Sequence, residues 1–199
     1  MWLSSLFIFA VLSTAPPFTL LPCPSCKRDK PMAADFCNFT YPGIRNPRTG
    51  KRMWPATHFT LTRGAWQEAD DEPYARTVTL ENIERADLTG AGRKSAITTL
   101  RWHSGGSMQK GLVYIWGPEA EKPKLLWSFA AGDRSDGGLH NVYGKNGDLI
   151  VELNDLKAAI GACCSRRFIR TRYHWNGSRF EPVGKSITLP NHEYDNVKD

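Results

Sequence analysis

Between residues 58 and 183 the chain never sustains a helical period. Short runs rich in β-branched and aromatic residues follow one another instead, each closed by glycine, proline or an Asn-Gly pair. Strands recurring roughly every 8–12 residues between turn signals mark an all-β sandwich or barrel. His58 to Arg63 (HFTLTR) alternates. Arg76 to Ile83 (RTVTLENI) alternates with Val78, Leu80 and Ile83 as its inner face, up to a bulge. Ser95 to Trp102, Gly111 to Trp116 and Leu125 to Ala130 come next, separated by Gly105-Gly106 and Gly117-Pro118. Leu139 to Tyr143 and Leu149 to Leu153 flank Asn146-Gly147, while Phe168 to Trp175 and Arg179 to Val183 flank Asn176-Gly177. Asn-Gly between alternating runs is a hairpin signal, because both turn positions need positive φ. The expected fold is all-β. It is an antiparallel meander of about eight or nine short strands, a sandwich or open barrel, after an irregular N-terminal arm. Leu156 to Ala162 reads as one helical turn at most.

Four segments are expected. Residues 1–22 carry no charged side chain, and Leu3 to Leu12 is a compact apolar run. Such a run suits a signal peptide or N-terminal anchor and falls short of the about 20 residues that span a bilayer. Ser13 and Ala15 offer a small-x-small cleavage pattern before Pro16-Pro17. Residues 23–56 form a Pro/Gly-rich arm, 57–185 the β-rich domain and 186–199 a polar C-terminal tail. The expected location is extracytoplasmic, periplasmic or secreted, with membrane contact only through residues 1–22.

The chain of 199 residues is long enough to bury a real core, and its seven tryptophans, nine phenylalanines and six tyrosines argue against disorder. A net charge of +6 raises nucleic acid as a partner. The densest basic group, Arg166, Arg167, Arg170 and Arg172, alternates with Phe168 and Ile169, and no nucleic-acid-binding module accompanies it. A solvated basic face is the expectation, not a nucleic-acid site.

Few residues could carry chemistry. Cys23-Pro-Ser-Cys26 with Cys37 gives one C-x-x-C and a third sulfur, short of the four ligands zinc requires. A disulfide is the simpler expectation for an exported chain. Cys163-Cys164 is a vicinal pair, each member easier to bridge to a distant cysteine than to its neighbour. Either could serve as a nucleophile only with a base such as His140 or His174 beside it. Asp87-Leu-Thr-Gly90-Ala-Gly92 resembles the start of a calcium loop, but Thr89, Ala91 and Thr98 stand where carboxylates belong. The turn reading has Asp87 hydrogen-bonding its own backbone around Gly90 and Gly92. His58, His103, His140, His174 and His192 show no metal-ligand spacing, and Glu119, Glu121, Asp133 and Asp136 are loop carboxylates. Asn38-Phe-Thr40 and Asn176-Gly-Ser178 match the glycosylation acceptor pattern. Trp102, Trp116, Trp127 and Trp175 are expected in the core, with an exposed aromatic platform as the alternative.

An ordered set of motifs carries a resemblance. Ala86 to Leu100 (ADLTGAGRKSAITTL), Gly105-Gly106-Ser107, Leu112 to Trp116 (LVYIW), Gly132-Asp-Arg134, Cys163-Cys164-Ser165 and Arg170 to Glu181 (RTRYHWNGSRFE) occur in turn. Over roughly residues 58–183 this order resembles bacterial secreted proteins of the LppP/LprE lipoprotein type. Ala91 stands where that family has an acidic turn residue, and Ser165-Arg166 where it has Pro-Ser. The resemblance implies an extracytoplasmic β domain with no catalytic residues to carry over. The expected function is a non-enzymatic binding or structural module for an envelope or extracellular ligand, with no cofactor. The alternatives are a thiol-dependent enzyme or a small zinc-bearing protein using the cysteines.

Overall fold

The computed structural model describes residues 26, 34–44, 58–68, 75–103, 109–118, 120–132, 137–159 and 165–194. Its strands are β1 (Thr40–Pro42), β2 (His58–Thr60), β3 (Ala65–Gln67), β4 (Thr77–Ala86), β5 (Ser95–His103) and β6 (Gln109–Pro118). They continue with β7 (Leu125–Ala131), β8 (Leu139–Lys145), β9 (Asp148–Asn154), β10 (Arg167–Trp175), β11 (Phe180–Pro182) and β12 (Ile187–Pro190). The fold is all-β, as the turn spacing requires. Every run expected to be extended contributes a strand. β1, β3 and β12 are additions of three or four residues, too short to show alternation. β1 lies in the stretch read as an arm and β12 in the stretch read as a polar tail.

The strands form three antiparallel sheets: a β1–β2 ribbon, a central sheet in the order β3-β4-β5-β6-β7, and a second sheet in the order β11-β10-β9-β8. β12 pairs with β10 as well, on its first half (Arg167 to Arg170), while β11 takes its last three residues. Among the described residues no sheet closes into a barrel, and the arrangement is that of a sandwich. The bulge in β4 falls between Leu80 and Asn82. It shifts the side-chain phase by one residue, so Val78, Leu80 and Ile83 are all buried on one face despite the odd step.

The two Asn-Gly turns differ. Asn146 and Gly147 both have positive φ (53° and 83°), the two-residue turn that matches strand twist. At the second hairpin only Gly177 does (99°), and pairing resumes at Trp175↔Phe180. The loop there spans 176–179 because the Asn176 Oδ1 accepts from the Ser178 and Arg179 amides, both at 3.0 Å, and stabilises a wider turn.

The central sheet is covered on both sides. One face packs Val78, Leu80, Leu100, Leu112, Tyr114 and Trp116 against Phe36, Tyr41, Ile44, Phe59 and Leu61 from the N-terminal ribbon and its approach. Tyr41 meets Tyr114 edge-on at 5.1 Å, and Phe39 meets Trp116 at 5.0 Å. The other face packs Ile97, Val113 and Ile115 against Val142, Leu149 and Val151 of the second sheet. This explains why Ser95 to Leu100 and Leu112 to Trp116 are buried without alternation, as in strands covered on both faces. Thr98, wholly buried, is satisfied by the Trp116 Nε1 at 3.1 Å. Cys26 and Cys37 form a disulfide that holds the start of this layer to the first core.

Candidate functional site: a polar cleft where the sheets part

The face of the central sheet toward the second sheet changes character along its length. Ile97, Val113 and Ile115 make one end apolar, and there the sheets close. At that end the Gly144 amide donates to the Glu84 Oε1 at 2.8 Å, and the Gly144 Cα lies against Ala86. Toward the other end the same face presents Asn82, Thr99, Arg101 and Gln109, paired as Asn82↔Thr99 and His103↔Gln109. Burying those groups against a sheet would leave them unsatisfied, which costs about 1–3 kcal/mol each. The sheets therefore diverge.

The gap is a cleft of about 540 Å³, with walls from β4 to β6 on one side and β8 on the other. Leu139 closes its base by seating on Gly111, where an added Cβ would stand 3.0 Å from the leucine Cβ. Asn154, Asn191 and Glu193 complete the rim. The volume falls within the roughly 300–1,000 Å³ usual for small-ligand sites.

The charged side chains around the cleft are engaged by neighbours in part. The Arg101 Nε donates to the Glu81 carboxylate at 2.5 Å and its Nη1 to the Gln109 Oε1 at 2.9 Å. Lys110 lies 5.6 Å from the Trp102 ring centre, and Trp102 belongs to the core on the other face. His140 stacks on Phe168 with ring centres 4.3 Å apart. The carboxamides are less committed. Asn191 donates to the Ser165 carbonyl at 3.1 Å, and the Asn141 Oδ1 accepts from the Val142 amide at 2.9 Å. Asn82 and Asn154 make no side-chain hydrogen bond among the described residues.

The residues singled out in the sequence are dispersed. Cys26 is bonded to Cys37, so two of the three sulfurs of the zinc reading are joined to each other. Cys23, Cys163, Cys164, Glu119, Asp133 and Asp136 lie outside the described residues. Among the described residues no three of His, Cys, Asp and Glu cluster to hold a metal ion. The Asp87 carboxylate accepts from the Thr89 amide at 3.2 Å and the Gly92 amide at 2.9 Å, and Gly90 and Gly92 have positive φ (70° and 69°). Those bonds are the internal hydrogen bonding of a turn. Asn38, the first acceptor-pattern asparagine, donates to the Asp35 Oδ2 at 2.7 Å.

Three of the four arginines of the basic group, Arg167, Arg170 and Arg172, are in ion pairs. Arg167 meets Asp155 at 2.9 Å, Arg170 meets Glu152 at 2.6 Å and Arg172 meets Asp148 at 3.3 Å. The expected basic face is thus a cross-strand ladder of ion pairs between β9 and β10, because the register sets Arg170 opposite Glu152. His174 adds a contact to Asp148 at 2.7 Å. Trp102 and Trp116 are buried, and Trp127 and Trp175 are partly buried against the second core.

Of the cleft residues His140 was weighed for chemistry in the sequence, and Thr99 and Gly132 fall within motifs of the resemblance. Asn82, Asn154 and Asn191 have no shared motif, and the β4 bulge was the one local signal near them. No family model matches the chain, and neither does any curated protein or solved structure.

Proposed function

We propose that this chain is a non-enzymatic, extracytoplasmic binding module, and that it holds an envelope or extracellular ligand in the cleft between its sheets. The observation that carries the reading is the open polar cleft of about 540 Å³ between the sheets, with the uncommitted carboxamide of Asn82 on its central-sheet wall. Polar side chains kept free beside a packed core represent binding capacity the fold does not use. The Cys26–Cys37 disulfide supports an oxidising compartment. The motif order shared with the LppP/LprE lipoprotein type supports the same address, with residues 1–22 as its signal or anchor.

Cosedimentation of the full chain with insoluble cell-envelope material from the host tests the proposal. The wild type and Arg179→Ala, altered at a distant hairpin tip, are expected in the pellet. Asn82→Trp, which fills the cleft from an exposed position, is expected in the supernatant. An Asn82→Trp variant that pellets like the wild type would move binding away from the cleft and overturn the reading.

A further inference from the structure

We propose that β7 is the surface through which two copies of this chain join, pairing antiparallel and edge to edge across a two-fold axis at Phe129. β7 (Leu125–Ala131, LLWSFAA) ends the central sheet. β6 pairs with it on one side, and among the described residues no strand pairs with it on the other. An open edge leaves a row of backbone donors and acceptors unpaired, and natural sheets blunt such edges with charge, proline, short length or a covering group.

The other edges are blunted in those ways. β3 and β11 have three residues and β12 four, and the last two end on Pro182 and Pro190. In β8 the Asn141 side chain takes the Val142 amide, Glu84 takes the Gly144 amide, and Lys145 ends the strand. β7 has seven residues without charge or proline. Its bulge, between the pairs Ile115↔Trp127 and Trp116↔Leu125, sits at one end and leaves Trp127 to Ala131 in regular register. Leu125 to Ala130 are all part-exposed, although Leu112 to Gly117 of the adjacent β6 are buried. The apolar surface continues onto the second sheet, where the part-exposed Tyr173 ring lies 5.0 Å from Trp127 between centres.

The sequence of β7 selects a second copy as the occupant. Trp127, Phe129 and Ala131 share the face toward the second sheet, and Ser128 and Ala130 share the other. A two-fold axis at Phe129 sets Trp127 of each copy opposite Ala131 of the other, large against small, and Phe129 opposite Phe129. Aromatic residues in direct cross-strand relation stabilise a sheet. Ser128 meets Ala130 on the far face, and no charged residue enters the five-residue register. Association also stops at two. An isologous pair uses both β7 edges, and β3, at the far end of each central sheet, is too short to extend it. The contact leaves the cleft free, since no residue of β7 lines it.

Sedimentation equilibrium of the full chain across a dilution series tests the proposal, with crosslinking to fix the register. A monomer–dimer equilibrium is expected. Ser128→Lys, which sets a cation against Ala130 on both sides of the axis, should weaken it about tenfold, and Ser128→Thr should keep it. In an equimolar mixture of Ser128→Cys and Ala130→Cys chains, mild oxidation should link position 128 of one copy to position 130 of the other, as read by mass mapping. A chain that stays monomeric at every concentration overturns the proposal. So does a dimer that Ser128→Lys leaves intact and that does not link through 128 and 130, because association would then lie on another surface, residues 1–22 included. A monomeric chain that captures a different protein along β7 overturns it as well.

Discussion

Gly144 of β8 and Ala86 at the end of β4 touch with no space between them: a Cβ added to Gly144 would stand 2.1 Å from that of Ala86 and 3.2 Å from the Leu88 Cδ2. This contact lets the two large sheets approach closely enough for the Gly144 amide to reach Glu84. It is the closed end of the sandwich whose open end is the cleft.

Gly144→Ala should therefore destabilise the fold by about 3 kcal/mol, the upper end of ordinary overpacking. Its φ is not in the left-handed region, so the cost is steric and not conformational. Chemical denaturation measures it, and Ala86→Gly in the same chain should recover most of the loss. A double variant as unstable as Gly144→Ala alone would place the strain elsewhere.

The disulfide gives a second expectation. Cys26 and Cys37 are 11 residues apart, and closing a loop of that size stabilises by about 3 kcal/mol in the chain-entropy picture. Adding reductant should lower the unfolding midpoint accordingly. Thiol alkylation followed by mass mapping should spare Cys26 and Cys37 until reduction. Modification of either in the native, unreduced protein would contradict the pairing.

Most of the fold was legible because hairpins advertise themselves locally. Asn146-Gly147 needs no information from elsewhere in the chain, and the step from Leu80 to Ile83 signals its own bulge. β1 and β12 were not legible, since Thr40–Pro42 and Ile187–Pro190 are held by partners distant in sequence. The cleft was hidden for the same reason. Asn82, Asn154 and Asn191 converge only once the register of two sheets is set. The arginines of β10 look like a basic face until that register brings Glu152 opposite Arg170 and Asp148 within reach of Arg172.

That ladder is asymmetric in energy. Glu152 is buried, its side chain 4% exposed against 35% for Arg170, and it also accepts from the Tyr143 hydroxyl at 3.2 Å. Arg170→Ala leaves a buried carboxylate short of its counter-charge and should cost about 2 kcal/mol, less than a fully buried pair because Arg170 is partly solvated. Glu152→Gln keeps the shape, leaves a cation that water can reach, and should cost less. Equal losses in urea unfolding would mean that the carboxylate is not the desolvated partner.

Alkaline stability follows from the tyrosines. Burial pushes Tyr114 far above the usual tyrosine range, and burial likewise raises Tyr143 and Tyr173. A phenol whose pKa is higher folded than unfolded holds its proton longer in the native state. Its stabilising contribution is complete below the unfolded value of about 10 and falls as pH rises from there toward the folded value. The slope for one such tyrosine is about 1.4 kcal/mol per pH unit. Stability should thus be flat with respect to these groups at neutral pH and drop steeply above about pH 10. Tyr114→Phe should remove part of that drop while losing about 1 kcal/mol at neutral pH, because the hydroxyl donates to the Pro42 carbonyl at 2.9 Å. Denaturation midpoints measured across pH, alongside tyrosinate absorbance, check both parts. An unchanged alkaline slope in Tyr114→Phe would show that Tyr114 ionises only after the fold has opened for another reason.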